Sequence, residues 1–357
     1  MADPLIGKGL PSPEALEAYI RRVRTGGLEP LLRERVCAAD SGSAQGLMVL
    51  RAILVLAPWL QEASLHGLLA TCVPEVGPRP FAAPAAAETY ASLRAKVAPD
   101  MASTGFKGIL AHQMEDLAQR LDLGLALVPL LQVVCEALPV DLYWNQRAIR
   151  RLEGPIPPAS GDSVRVLCEG GLVEVLNHFG ALLRRGEPIL DLLVEGASRK
   201  LLEASRELQG RTSWIFLYLA TLPGAGQAQW LQAAALVNLF PSEDWPSLDT
   251  VPGVASAEDL LDAILDAEPG KARVLGRQVL ASSEPASLLP LLAEAAAASD
   301  PVNDNGHRLL ATAALAELLP LLGVPAQAWA VYALAISLAT TQTGGERVLM
   351  GRKAWLC

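Results

Sequence analysis

The chain has 357 residues, of which 51% are apolar and only 19% are charged, and this balance excludes an intrinsically disordered protein. The net charge of −9, with lysines and arginines scattered along the sequence, argues against nucleic-acid binding, which rests on clustered basic residues. Alanine and leucine dominate, whereas isoleucine, threonine, tyrosine and phenylalanine are scarce. The helix propensity of alanine and leucine predicts an all-α protein without a sheet.

The cysteines and the N-terminus both favour a cytoplasmic protein. Five cysteines are widely spaced and contain no C-x-x-C pair, which is typical of reduced thiols: Cys37, Cys72, Cys135, Cys168 and Cys357. The first residues carry acids and prolines where a secretory signal needs a basic head and an apolar run. No membrane span is expected, because Pro320, Gly323 and Pro325 interrupt the one charge-free stretch, between Glu317 and Glu346.

Helical periodicity recurs along the chain. Ser12 and Pro13 begin a first predicted helix, which ends near Arg24 before two glycines. The clearest periodic segments that follow are 44–56, 59–72, 106–121, 123–138 and 172–185.

Proline-rich loops divide these helices. Residues 74–84 and 154–162 are too rich in proline to be helical, and the second stretch predicts a boundary between an N-terminal helical region, 1–153, and a C-terminal one, 163–357. A third loop, 241–256, carries Trp245 and ends at Ser256. Asp259 follows three residues later, so the pair predicts a capping box that begins the next helix.

Two segments of the C-terminal region, about 186–240 and 283–342, resemble each other at a spacing of 97 residues. The identical residues are Glu187-Pro188 with Glu284-Pro285, Leu192 with Leu289, Arg211 with Arg308, Leu222-Pro223 with Leu319-Pro320, and Gly226 with Gly323, and a two-residue shift aligns Trp230 with Trp329. Each unit predicts three helices that cannot bury their apolar faces alone. The pattern therefore favours packed helical hairpins in a bundle or a short α-solenoid-like array.

His112 is the first candidate for chemistry. Glu115 and Asp116 lie three and four residues after it, so the imidazole and a carboxylate share one face of a helix. The pattern favours a surface pair, because a metal site of this type needs a second matching pair, and no metal site is predicted. A role for His112 as a catalytic acid or base is the alternative.

His307 is the second candidate, because it follows Asp304-Asn305-Gly306 at the start of a strongly apolar helix. A polar residue at this position usually caps the helix or contacts the preceding loop. The alternative is a catalytic histidine that faces a pocket lined by Trp329 and Tyr332. His66 and His178 lie within apolar helices, where a hydrogen-bonded core histidine is the usual outcome, and we assign them no chemistry.

The sequence contains no nucleophile elbow, P-loop or dinucleotide fingerprint. Its tryptophans ordinarily fill space in a core, but they are also the side chains that line a cavity for a flat apolar ligand. The candidates for ligand binding are Trp214, Trp230, Trp245, Trp329 and Tyr332.

The second half of the chain, about 170–342, resembles the helical region of questin-oxidase-like proteins, including relatives fused to Rieske iron–sulfur domains. The resemblance rests on 186–188, on 233–236 running into Asp244-Trp245 and 249–251, and on Gly306-His307 opening a helix that ends at Leu322-Gly323. It implies oxidative chemistry on aromatic polyketides, with histidines in the second helix of each unit. This sequence has Arg211, Ser213 and Trp214 in that helix, which leaves His307 as the catalytic candidate that the resemblance implies.

Two classes of function follow. A helical scaffold would bind a protein partner along its packed helices and needs no catalytic residue. An enzyme would enclose a flat apolar or aromatic small molecule, with His307 or His112 as acid or base. The scarcity of polar residues at motif-like spacings favours the binding module, and no cofactor can be named.

Overall fold

The computed structural model describes residues 21, 28–37, 44–72, 88–203, 214–240, 247–298 and 306–341. In these ranges the regular secondary structure is helical and no strand is present, which confirms the all-α fold class expected from the composition. The first predicted helix, apart from residue 21, and the predicted loop 74–84 lie outside the described residues.

The helices in chain order are α1 (Leu28–Cys37), α2 (Ala44–Leu56), α3 (Glu62–Cys72), α4 (Tyr90–Val97), α5 (Phe106–Arg120), α6 (Val128–Ala137), α7 (Tyr143–Glu153), α8 (Ser163–Glu169), α9 (Leu172–Arg184), α10 (Leu190–Glu203), α11 (Gln227–Leu239), α12 (Ala257–Leu265), α13 (Pro269–Leu280), α14 (Leu289–Ala297), α15 (His307–Leu318) and α16 (Val324–Thr341). A further helical segment covers 214–220, and short 3₁₀ turns precede α3, α14 and α16.

The helix boundaries follow local chemistry. A 3₁₀ turn over Ala57–Trp59, with proline in its first turn, separates α2 from α3, so α3 begins three residues later than predicted. The predicted capping box at the start of α12 is present. The Ser256 hydroxyl accepts from the Asp259 amide, and the Asp259 carboxylate accepts from the Ser256 amide.

α16 is the centre of the C-terminal packing. It contacts α10, α12, α13, α14 and α15, and nearly all of its side chains from Ala326 to Ala339 are buried. Because the helix is apolar on every face, burial on all sides is its stable position. None of the helices in the described ranges combines the length and apolar composition needed to cross a bilayer.

Close helix contacts in this region depend on small residues. A Cβ on Gly276 of α13 would lie 3.1 Å from the ring of Tyr332 on α16, and a Cβ on Gly196 of α10 would collide with Leu167 of α8. The alanines of α14, α15 and α16 serve the same purpose. The interior is therefore close-packed around the leucines and leaves little tolerance for added volume.

The irregular loop 154–162 is present as predicted and is attached to α9. Arg184 donates hydrogen bonds to the backbone carbonyls of Leu152 and Gly154. Helices from the two sides of this loop pack together, with α7 on α9 and α11 and with α2 on α15. The division into two domains at the loop stays a prediction.

Each predicted repeat unit contains three helices in the described residues. Unit 186–240 holds α10, the segment 214–220 and α11, and unit 283–342 holds α14, α15 and α16. The turn before α11 and the turn before α16 both follow the Leu-Pro-x-x-Gly pattern. The duplication itself stays a prediction.

Candidate functional site

The two helices that carry the candidate histidines begin in the same way. α5 begins at Phe106 after Gly105, and α15 begins at His307 after Gly306. Both glycines have left-handed backbone angles, with φ of 79° and 70°. A Cβ at Gly306 would also overlap the side chain of Val49 on α2. Glycine at this position therefore lets the start of α15 approach α2 closely.

Trp214 lies between the first side chains of these helices. Its ring centroid is 5.7 Å from that of Phe106 and 5.6 Å from that of His307, and it meets the imidazole edge-on at an interplanar angle of 76°. These are ordinary geometries for aromatic pairs. The structure therefore brings together two predicted site residues, Trp214 and His307, and adds Phe106, which the sequence analysis did not select.

The imidazole of His307 is held neutral by its surroundings. The side chain is half-buried, and burial alone lowers its pKa below the usual value for histidine. A neutral imidazole can donate one hydrogen bond and accept another.

A second cluster forms at the other end of the same helices, around Arg51 of α2. The guanidinium is 1% exposed, and its Nε lies 2.7 Å from the Oδ2 of Asp116 on α5. Its Nη1 lies 2.9 Å from Glu317 Oε2 on α15, and its Nη2 donates to the other oxygen of the same carboxylate. Bidentate pairing of this type is the strong form of an arginine–carboxylate contact. One buried cation thus joins three helices.

His112 lies on α5 next to this cluster. Burial first, and then the positive charges of Arg51 and Arg94, lower its pKa to about 4, although Asp116 and Glu115 act in the opposite direction. The two acids that the sequence paired with His112 are engaged elsewhere, since Asp116 also accepts from Arg120 at 2.7 Å and Glu115 pairs with Arg94 at 2.8 Å. His112 is therefore a neutral imidazole beside paired charges.

α5 and α15 run in the same direction between the two clusters. Phe106 and His307 begin these helices near Trp214, and Asp116 and Glu317, each ten residues later, meet at Arg51. Ten residues of α-helix span about 15 Å, which separates the aromatic cluster from the ionic one.

Trp329 and Tyr332, which were expected to line a pocket beside His307, have other partners. The guanidinium carbon of Arg199 lies 3.9 Å above the Trp329 ring, and Arg199 is paired with Glu195 at 2.7 Å. Tyr332 donates its hydroxyl to the Arg273 carbonyl at 3.2 Å. Both rings are buried and join α16 to α10 and to α13.

The other predicted aromatic residues are placed differently. Trp230 of α11 is half-buried and packs at the edge of the core. Trp245 lies outside the described residues.

The two histidines that were given no chemistry are also separate. His66 is half-buried on α3. His178 of α9 lies next to α8, where its Nε2 is 2.8 Å from the Ser163 hydroxyl. Ser163 was missed because the surrounding sequence lacks any nucleophile motif.

The surface around α7 differs from the rest of the described chain. Its outward side presents apolar, aromatic and basic side chains together, and we call it the α7 face: Val140, Leu142, Tyr143, Arg147, Ile149 and Arg150. Val140 is 67% exposed and Tyr143 is 56% exposed. Arg147 lies over the Tyr143 ring and donates to its hydroxyl at 2.7 Å.

The arginines of the α7 face lack acidic partners. Neither Arg147 nor Arg150 forms an ion pair with any residue in the described ranges. Other exposed arginines do form ion pairs, as with Arg165 and Glu169 at 2.9 Å or Arg185 and Glu187 at 2.5 Å. Within an acidic chain, the α7 face therefore presents two basic side chains that no described acid neutralises in an ion pair.

Among the described residues, no group of three or more histidine, cysteine, aspartate or glutamate side chains is arranged to hold a metal ion. No known protein family, no curated protein and no solved structure matches this chain. The resemblance to questin-oxidase-like proteins therefore stays a prediction.

Proposed function

We propose that this protein is a helical binding module that docks a protein partner on the α7 face. The observation that carries the proposal is the coexistence of exposed Tyr143, exposed Val140 and two arginines without an ion pair on one side of α7. Tyrosine and arginine are the residues most enriched at energetically important positions of protein interfaces.

The placement of the histidines supports a binding module over a histidine-based pocket. His112 lies beside charged residues, His178 contacts Ser163, and His307 contacts Trp214. The residues next to these three histidines belong to different helices. An active site built from several histidines would require that they share a cavity or a partner.

The partner's chemistry follows from the charges on the α7 face. Arg147 and Arg150 form no ion pair with any described residue, so a partner with carboxylates would complete two charge-assisted contacts. Val140 and Ile149 would be covered by apolar side chains. The expected partner segment is therefore acidic and amphipathic.

The test is native mass spectrometry of the full chain purified from its own cells, followed by affinity measurement with the polypeptide that co-purifies. We expect Tyr143→Ala and Arg150→Glu each to weaken binding about tenfold or more, the loss typical of an interface hot spot. Arg165→Glu is the matched control, because it reverses an exposed arginine on α8. Equal binding by all variants would show that the α7 face is not the docking site.

An enzyme acting on a flat apolar molecule is the second candidate, and one observation favours it. Trp214 places an aromatic surface against the neutral imidazole of His307, an arrangement suited to a flat ligand beside an acid or base. A co-purified aromatic compound that His307→Ala releases, with the α7 variants unaffected, would favour this candidate over the binding module.

A further inference from the structure

Ser163 and His178 form a hydrogen-bonded pair that the binding module does not use. The Ser163 Oγ lies 2.8 Å from His178 Nε2, although the residues are 15 positions apart on α8 and α9. Ser163 is partly exposed, whereas His178 is 6% exposed. Ser163 therefore has some solvent-exposed surface, whereas its histidine partner lies inside the protein.

The local fold leaves the Ser163 hydroxyl available. Ser163 is the first residue of α8, where a serine side chain often turns back to cap the helix. Here the preceding residue, Asp162, provides the cap and accepts from the amides of Val164 and Arg165 at 2.9 and 3.1 Å. The serine oxygen is thus directed to the imidazole.

A backbone contact orients the imidazole. His178 also makes a hydrogen bond to the backbone of Ser160, in the loop that precedes α8. A carbonyl can only accept, so we assign the single N–H of the neutral ring to Ser160. Nε2 then accepts from the Ser163 hydroxyl. This is the orientation that a general base needs toward a serine nucleophile.

The surroundings keep the base unprotonated near neutral pH. Burial is the main cause that lowers the pKa of His178, and Arg185 adds to it. The bond to Ser160 and the charges of Glu174 and Glu187 oppose this shift without reversing it.

We propose that Ser163 is a nucleophile, that His178 is its general base, and that the pair reacts with small acyl esters. Ser163 Oγ forms a bond to the ester carbonyl carbon and gives its proton to Nε2. The bond from that carbon to the alcohol oxygen breaks, and the alcohol leaves with the proton from Nε2. Water then hydrolyses the acyl-serine, with His178 taking and returning the proton.

The acyl group should be small because the adjacent loop is packed closely on α9. Ile156 of this loop lies so near Gly180 that a Cβ there would be 2.8 Å from its Cδ1. The same loop runs directly into Ser163 in the sequence, so acetyl esters, which carry a small acyl group, are the expected class. This activity is independent of docking at the α7 face.

The experiment treats the full chain with a fluorophosphonate probe and with p-nitrophenyl acetate. In the wild type we expect one adduct that peptide mapping assigns to Ser163. Ser163→Ala should abolish it, and His178→Gln should slow labelling about a hundredfold or more. Ser282→Ala is the matched control, because Ser282 is an exposed serine whose hydroxyl donates to the Val279 carbonyl and has no part in this pair, and it should label normally.

A pH profile of labelling provides a test that needs no variant. The rate in the wild type should be constant near neutral pH and fall at acidic pH as His178 becomes protonated. Absence of an adduct on Ser163 in folded protein, equal labelling of the His178→Gln variant, or a rate that does not fall in acid would each overturn the proposal. Partner binding at the α7 face would be unaffected by any of these results.

Discussion

Arginine has opposite surroundings in two regions of this protein. Arg51 of α2 is almost fully buried in an apolar helix and holds two carboxylates from α5 and α15. Arg150 of the α7 face is exposed and has no acidic partner in the described chain. A buried charge must be paired within the fold, whereas an exposed one remains free to pair with another molecule. The first arginine therefore stabilises the fold, and we propose that the second recognises a partner.

The largest expected effect comes from removing the buried arginine. Arg51→Met should lower the free energy of unfolding by about 3–5 kcal/mol, because it leaves Glu317 without its bidentate partner in a buried setting. The matched change Arg150→Met should alter it by less than about 0.5 kcal/mol, as is usual for exposed sites. Urea unfolding followed by circular dichroism measures both.

A second variant separates the loss of a contact from the cost of an unpaired charge. In Arg51→Met/Asp116→Asn/Glu317→Gln, neutral groups replace the whole cluster, and much of the lost stability should return. If the single Arg51→Met variant unfolds at the same urea concentration as the wild type, Arg51 does not stabilise the fold more than Arg150 does.

Much of the fold was predictable from the sequence, because apolar periodicity and helix-ending prolines and glycines are local signals. α2, α5 and α9 lie where the apolar periodicity indicates, and the capping box at Ser256 and Asp259 is present. The pairing of helices was not predictable. The contact between Arg51 and Glu317 joins residues 266 positions apart.

The candidate site was predictable only in part. Trp214 and His307 do meet, but their contact depends on how the 214–220 segment packs, which periodicity does not specify. A usable signal was overlooked at Arg51, since a lone charge within the apolar run of α2 indicates a buried ion pair. Ser163 had no comparable signal, because only the packing of α8 on α9 brings it next to His178.

The next effect, in order of size, is a pH dependence in the ionic region. His112 has an ordinary pKa near 6.5 when unfolded and a pKa of about 4 in the fold, so the unfolded chain binds a proton that the folded chain does not. The free energy of unfolding should therefore be highest above pH 6.5 and should fall by about 2–3 kcal/mol as the pH falls toward 4.

A variant isolates this histidine from His178 and His307, whose lowered pKa values act in the same direction. His112→Gln should lose less stability than the wild type between pH 6.5 and 4 in urea unfolding. No pH dependence of the Arg150→Met variant beyond that of the wild type is expected, because Arg150 is not among the charges that shift the pKa of these histidines. An identical pH dependence for His112→Gln and the wild type would contradict the assignment.

The smallest expected effect concerns Arg199, which is intermediate between the two arginines of the comparison. It pairs with Glu195 and covers the buried ring of Trp329. Arg199→Lys keeps the charge but loses the flat guanidinium that stacks on the indole, so the free energy of unfolding should fall by about 1 kcal/mol. Trp329→Leu should make the same lysine substitution nearly neutral, and a double-mutant cycle in urea measures the coupling. A coupling near zero would mean that the Trp329 ring does not hold Arg199. The stabilising effect of Arg199 would then come from acidic neighbours and not from the aromatic ring.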